Sequence, residues 1–450
     1  MLVLPIRPWC LSLGWIFERR EHHWRQSGAY RGGGSDRIVS VKSWVEISER
    51  RLAANYNVLS AAAGSDTSVL AVIKANAYGH GAGVCAPVLA WAGTEWLGVA
   101  DGTEGCEVRE ALTAAGIEPQ RQPKILVMCG GLGEDADSIV RQGLTAVVWE
   151  QHQMKELAQA VAQRGGGLPL PVHLEIDTGM ARQGVAPGEE LEAVLHWLKE
   201  QKALRLDGVM THFASAEVAV SRQTLDQRQR FEHAMKAVAA AGLHPAWVHA
   251  GSSSTIDNLG TDENLSWLRR LASSVNARSM VRAGIALYGY CLPLCPPIND
   301  ADFATGDGGF AQSQVREELQ PVMSWKTHVI GLRDVQSGDT VGYNATFTAR
   351  RPMRLALLPV GYADGLRREL SSSNAQPGGW AMVRGQRAAI VGRVSMNLTV
   401  VDVTEIPGVA LGDEVIVLGD GITADDHARL AHTISYEIVC GVRASSYLAV

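Results

Sequence analysis

Short apolar runs and longer amphipathic stretches alternate through the first part of the chain, and that alternation limits the fold more than any other feature. The runs "SVLAVIK", "WLGVA", "KILVM", "TAVVW", "VHLEI", "LDGVM", "AWVHA" and "SMVRAGIALYG" have the length and β-branched content of buried strands. Between them, "QMKELAQAVAQRG", "EELEAVLHWLKEQ" and "TLDQRQRFEHAMKAVAAAG" carry apolar residues at helical spacing. Strands alternating with amphipathic helices build parallel βαβ units. Eight such runs over roughly 240 residues predict an α/β fold, a closed (β/α)8 barrel of the TIM type.

At 450 residues the chain is longer than one barrel core requires. After residue 290 its character changes. "CLPLCPPINDADFATGDGGFAQSQ" is rich in Pro, Gly and small polar residues and reads as a linker over 291–316. The remainder of the chain is strand-like and helix-poor, with "VMSWKTHVIGLRDV", "RLALLPVGY", "LTVVDVT" and "DEVIVLG" separated by Gly and Asp turns. The expected organisation is an N-terminal extension over 1–40, poorly ordered, a barrel over 41–290, the linker, and a mainly antiparallel β domain over 317–450.

In such barrels chemistry collects where strands end and loops begin. Those ends carry Lys74, Arg182 after "EIDTGM", His212 in "MTHFA", Ser252 and Ser253 in "HAGSSS", and Arg282 in "MVRAG". Lys74 is the sharpest of them. Read alone, it is either the first solvated residue after a core strand or a partly desolvated amine that gives up its proton readily and acts as a nucleophile. Five strand ends with polar or cationic groups favour a site over a set of solvated edges.

Composition excludes some classes. The formal net charge is −6, and the one dense basic block is the short "FERREHHWR", so no concentrated face for nucleic acid is expected. The seven cysteines are odd in number and scattered, which fits reduced thiols in the cytoplasm. The close pair in "CLPLC" lacks partners for zinc, so no metal is expected. No stretch approaches the ~20 apolar residues of a membrane span. The glycine-rich spots match neither the P-loop nor the dinucleotide fingerprint.

Eight stretches then occur in a familiar order: "AVIKANAYGHGA", "IDTGMARQGV", "THFASAE", "MVRAGIALYG", "VGYNATF", "LPVGYADG", "VGRVSMNLTVVDVT" and "TISYEIVC". Together they resemble the alanine racemases, a family that carries pyridoxal 5′-phosphate (PLP) in a barrel followed by a β domain. The likeness runs from about Trp44 to near the C-terminus, leaving out the linker. It implies an isomerase that interconverts L- and D-alanine, supplies D-alanine for peptidoglycan, and works as a homodimer with active sites shared between subunits.

The resemblance also implies roles. Lys74 would be the Schiff-base lysine and one of two catalytic bases, with Tyr343 of the other subunit as the second. Racemisation takes a proton from one face and returns one to the other, so two bases on opposite faces are its natural means. A free tyrosine holds its proton to about pH 10 and needs help to act as a base. His212 would hydrogen-bond that tyrosine, with Arg282 behind it facing the pyridine nitrogen. Arginine stays protonated and cannot readily hand that nitrogen a proton, which weakens the electron sink and disfavours transamination. Tyr78, Ser253, Tyr436 and the backbone N–H groups of Gly284 and Ile285 would hold the phosphate. Arg182 would hold the cofactor's phenolic oxygen and reach the substrate carboxylate. Met396 of the second subunit would help with that carboxylate, and Tyr362 would narrow the way in.

Three positions depart from the family pattern. Many members carry a carbamylated lysine seven residues before the Arg182 position, where this chain has Glu175. A glutamate carries the negative charge directly, and alternation places His173, Glu175 and Asp177 on one face of the strand. The expectation is that Glu175 replaces the carbamate and holds Arg182; an acid paired elsewhere is the alternative. Ser252 stands where Asn is common, and Ser395, Met396 and Asn397 stand where Cys-Met-Asp is common. The last change leaves open a broad-specificity or serine-preferring racemase. Barrel-type PLP decarboxylases and a PLP-binding carrier protein without turnover are more distant alternatives. Arg282 and Tyr343 speak against the first, and the β domain against the second.

Overall fold

The structure is a computed structural model that describes residues 41–131, 133–165, 167–218, 221–258, 263–294 and 313–450. The expected extension over 1–40 and most of the expected linker, 295–312, lie outside the described residues.

The chain opens with a strand, β1 (Ser43–Ile47), then enters a closed parallel barrel. The barrel strands are β2 (Thr67–Val72), β3 (Trp96–Val99), β4 (Lys124–Val127), β5 (Thr145–Val148), β6 (Leu170–Glu175), β7 (Leu204–Met210), β8 (Trp247–His249) and β9 (Arg278–Ala283). They are joined in sequence order, and β9 pairs back onto β2 with Val69 opposite Val281. Each of the eight apolar runs supplies one strand. The last run, however, is a strand only to Ala283; Gly284 breaks it, and Ile285–Tyr288 wind into a 3-10 turn.

Helices cover the barrel because one stripe of each is apolar. Glu49–Ala63 buries Leu52, Asn55, Tyr56, Leu59 and Ala63, and Ser48 caps its start by accepting the Arg51 N–H. Asn55 is buried among apolar neighbours but fully engaged. Its Nδ2 donates to the carbonyls of Leu287 and Gln320, and its Oδ1 accepts the Gln320 N–H. One side chain thus joins the end of the barrel to the start of the β domain.

The β domain contains β10 (Met323–His328), β11 (Gly331–Val335), β12 (Thr340–Val341), β13 (Phe347–Thr348), β14 (Met353–Leu358), β15 (Trp380–Val383), β16 (Gln386–Ala389), β17 (Thr399–Asp402), β18 (Glu414–Leu418) and β19 (Ser446–Ala449). Its main sheet has the order β16-β15-β18-β10-β1-β19. β1 therefore belongs to this sheet although it precedes the barrel, with Val45 opposite Trp325 of β10 and Tyr447 of β19. Three of its five residues are hydrophobic and buried, Trp44, Val45 and Ile47, which gives the N-terminal strand a reason to insert between two distant segments. β1 and β19 run parallel, and the other pairs of the sheet are antiparallel. Two short helices, Ala424–Ala431 and Ser435–Gly441, interrupt a region that reads as helix-poor; Thr423 caps the first by accepting the Asp426 N–H.

Candidate active site

Lys74 stands half-buried one residue beyond β2, after Ile73, and the backbone just beyond it is unusual. Ala75, Asn76, Ala77 and Tyr78 all have φ between 52° and 56°. Non-glycine residues in this left-handed region cost about 1–2 kcal/mol each, so the turn persists only because its surroundings impose it. The surroundings come partly from the same stretch and partly from distant segments. Ala77 N–H donates to Ile73 O at 2.8 Å, and Gly81 N–H to Asn76 O at 2.9 Å. Asn76 Oδ1 accepts the Ala82 N–H at 2.8 Å, and Glu104 accepts the Asn76 N–H. The buried His80 lies 3.1 Å from the carbonyls of both Ala77 and Tyr78 through Nδ1, which must therefore carry the proton. Its ring stacks on Tyr288 at 4.3 Å. Gly79 has φ +81°, and a Cβ there would meet Val439 O at 2.5 Å. The residues after the lysine shape the turn that presents it.

A group of hydroxyls surrounds this turn. Tyr78 is buried, with its ring 5.8 Å from that of Tyr436 and 5.1 Å from that of Tyr288. Burial pushes the Tyr78 and Tyr436 phenols up, so both stay protonated donors at neutral pH. Ser253 Oγ accepts the N–H of Gly284 at 2.9 Å and of Ala286 at 3.3 Å, leaving its own proton to donate. A Cβ on Gly284 would lie 2.5 Å from Tyr78 Oη, so only glycine permits this approach.

Arg282, at the end of β9, is 2 % exposed and organises the barrel mouth. Its Nη2 donates to Thr211 O at 2.8 Å and to His212 Nδ1 at 3.0 Å, and its Nη1 donates to His249 Nδ1 at 3.1 Å. Because arginine can only donate, both imidazoles accept on Nδ1 and carry their protons on Nε2. His249 passes its proton toward His173 Nδ1 at 2.9 Å, deeper in the barrel. Gly208 makes room for that ring, since a Cβ there would sit 2.7 Å from it. Burial, then Arg282, Arg182 and Lys74, push His212 down to about 3, so its imidazole is neutral. Burial pulls Arg282 down to about 10, which still leaves it charged.

Glu175 ends β6 and is 2 % exposed. Its Oε2 accepts Gln183 Nε2 at 2.5 Å, and the same amide donates to Met128 O at 3.1 Å. Burial raises the Glu175 carboxyl above its usual range, while the Gln183 bond and the charges of Arg282 and Arg182 oppose the shift. Arg182 itself is exposed and makes no hydrogen bond or ion pair among the described residues. The expected partner of Glu175 is Arg182, but the carboxylate is engaged by the residue after it. Ala181 has φ +57°, and the chain turns there so that the Gln183 side chain, not Arg182, meets the strand end.

The structure thus gathers Lys74, Tyr78, His212, Ser253, Arg282, Gly284, Ile285 and Tyr436 at one end of the barrel, with Glu175 beside them. Tyr343, Tyr362 and Met396 form a separate group on the β domain, 67 %, 43 % and 57 % exposed. They share one neighbourhood. A Cβ at Gly342 would lie 3.2 Å from Arg393 N, and Tyr362 N–H donates to Ser395 O at 3.0 Å. Among the described residues, no hydrogen bond joins Tyr343 to His212. Ser252 caps the short helix Ser253–Asp257. The residues missed from sequence are His80, His249, Glu104 and Gln183, and His173, placed on the face of Glu175, is given no role there. His80 lies inside the stretch "AVIKANAYGHGA" that bears the lysine, and the others carry no local signal.

Comparison with known proteins accounts for this layout. The family description "Alanine racemase, N-terminal domain" matches residues 47–292, and "Alanine racemase, C-terminal domain" matches 322–447. The alanine racemase of Sorangium cellulosum is 38 % identical over 386 residues, covering 82 % of this chain and 88 % of that protein. That of Halothermothrix orenii is 33 % identical, covering 90 % and 95 %. Among solved structures, the alanine racemase of Streptomyces coelicolor A3(2) matches with a TM-score of 0.76 at 29 % identity, over 91 % of this chain and 98 % of that one. The alanine racemase of Bartonella henselae, solved with covalently bound pyridoxal phosphate, matches with a TM-score of 0.68 at 25 % identity, over 91 % and 99 %. On these grounds the chain belongs to the alanine racemase family.

Proposed function

We propose that this chain is a homodimeric, PLP-dependent racemase that interconverts L- and D-alanine in the cytoplasm and supplies D-alanine for peptidoglycan. The observation that carries the reading is the placement of Lys74 on a strained turn beside a neutral His212 that Arg282 holds in one tautomer. A reducing compartment fits the free thiols of Cys85, Cys106, Cys129, Cys291 and Cys440. Among the described residues no helix is long and apolar enough to cross a membrane.

The residues suit the cofactor. Arg282 Nε is buried without a partner among the described residues, which leaves a donor for an acceptor such as a pyridine nitrogen. The hydroxyls of Tyr78, Ser253 and Tyr436 and the N–H of Ile285 would receive the phosphate, joined by the Gly284 N–H once it turns from Ser253 Oγ. Arg182, without a partner among the described residues, would hold the phenolic oxygen and the substrate carboxylate. When bound, PLP takes up the electron pair left on the α-carbon when its proton departs.

The chain's own groups then move the proton. The Lys74 amine would serve one face of the α-carbon, and the Tyr343 phenolate of a second copy the other. His212 keeps its proton on Nε2 and is neutral, so it donates to the phenolate oxygen without competing for the substrate's proton. That bond would hold and orient the oxygen that takes the proton. Tyr362 and Met396 of the second copy would close the substrate end. The exposure of Tyr343, Tyr362 and Met396 in the single chain supports that arrangement.

The test is to incubate the PLP-loaded protein with L-alanine in deuterated water and analyse the product by chiral chromatography and mass spectrometry. D-alanine with deuterium at the α-carbon, and no pyruvate or amine, is the expected result. If neither enantiomer changes while the protein retains its cofactor absorption band, the reading is wrong for alanine.

A further inference from the structure

One carboxylate, that of Asp364, ties together segments that the site uses separately. Its Oδ1 receives Lys42 Nζ at 2.5 Å, just ahead of β1. Its Oδ2 receives the Gly361 N–H at 2.9 Å, which closes the turn bearing Tyr362. The same oxygen receives Asn397 Nδ2 at 3.4 Å, from the turn bearing Met396. The Asp364 carbonyl accepts the Arg443 N–H at 2.8 Å, directly after the helix that carries Tyr436.

The two turns are also bound to each other. Tyr362 N–H donates to Ser395 O at 3.0 Å and Ala363 N–H to Met396 O at 2.9 Å. A Cβ at Gly361 would lie 2.1 Å from Ser395 O, so the backbones are as close as glycine allows. Tyr362 and Met396 have exposed side chains, so packing within the chain does not fix them. Their positions come from the turns beneath.

We propose that Asp364 is a positioning residue which, through Lys42 and Asn397, sets the spacing of Tyr362 and Met396 and thereby the substrate side chains admitted between them. The proposal rests on the reading that those two residues border the substrate. A mostly buried carboxylate needs a cation and donors to stay in place. Lys42, the Gly361 N–H and Asn397 supply them. Asn397 acts as a donor here: an acid in its place would face Asp364 with like charge, and an aliphatic residue would leave Oδ2 with one donor.

The experiment is steady-state kinetics with alanine and serine on the full, PLP-loaded enzyme carrying Lys42→Met, Asp364→Asn or Asn397→Ala, beside Tyr362→Ala. Each of the first three is expected to raise KM for alanine about tenfold with kcat changed less than about threefold, and to shift the alanine-to-serine ratio of kcat/KM. Lys42→Arg should keep both near wild type. Asn397 is exposed, so its variant will fold even where Asp364→Asn does not. If Asn397→Ala and Lys42→Met leave KM and selectivity unchanged while Tyr362→Ala moves both, Asp364 is only a structural tie and the proposal fails. If Tyr362→Ala moves neither, the reading of the substrate end fails and the proposal falls with it.

Discussion

Arg282 Nη2 lies 3.0 Å from His212 Nδ1, and this single bond decides which histidine nitrogen faces the site with a proton. The donor cannot change roles, so the imidazole cannot either. Burial and three nearby cations hold the ring neutral across the physiological range.

That fixed tautomer leads to a specific kinetic asymmetry. On the proposed reading, His212→Phe would remove the donor for Tyr343 of a second copy but leave Lys74 in place. Exchange of the α-proton into deuterated water should slow about 100-fold or more from one enantiomer and persist from the other. Tyr343→Phe should slow the same enantiomer. Equal slowing from both by His212→Phe would show that the histidine serves the whole cofactor pocket and not the second base.

Gly79 makes a separate prediction about the turn that presents Lys74. Alanine there must adopt φ +81° and place Cβ 2.5 Å from Val439 O, a backbone atom that cannot rotate away. Overpacking and left-handed strain together should cost about 3 kcal/mol or more. Calorimetry of the Gly79→Ala apoprotein should find a lowered Tm, with PLP loading reduced in parallel. An unchanged Tm would mean that the turn is not held by the helix Ser435–Gly441.

The barrel was legible because each of its strands is buried on both faces, and such strands write a continuous apolar run. β1 was not, since "SWVEI" runs straight into the next helix and nothing local says that its partners lie near residues 325 and 447. Lys74 and Arg282 could be picked out because a charge at the end of an apolar run is costly. Gln183 could not, because a neutral amide beside Arg182 gives no sign that it will turn inward to Glu175. Strand alternation puts His173 on the face of Glu175 but gives its ring no role. Its value to the site comes from His249, 76 positions away.

Glu175→Gln tests whether the buried carboxylate matters as a charge. The amide can still bond Gln183, but the anion near Arg282 and Arg182 disappears. The charges of Arg282 and Arg182 then lose their nearby counter-charge. KM for alanine should rise about tenfold with a smaller fall in kcat. Unchanged affinity and turnover would leave Glu175 as an acid paired only for the fold.

Buried histidines set the acid limit of stability. Burial pushes His80 and His427 down to about 4, His173 and His212 to about 3, and His249 well below its ordinary value. In the unfolded chain each would take up a proton near pH 6.5, whereas the folded protein binds them only at much lower pH. The stability that these neutral rings represent is complete above pH 6.5. It is lost as pH falls toward their folded values, because the unfolded state then binds more protons. Each ring can contribute up to about 1.4 kcal/mol per pH unit in that window. Urea unfolding of the apoprotein should show a steep fall in stability from pH 7 to pH 5. His80→Gln, which removes one of these rings on the Lys74 turn without touching substrate, should make the slope shallower by about one ring's share. A slope unchanged by that substitution would place His80 outside the groups that govern acid unfolding.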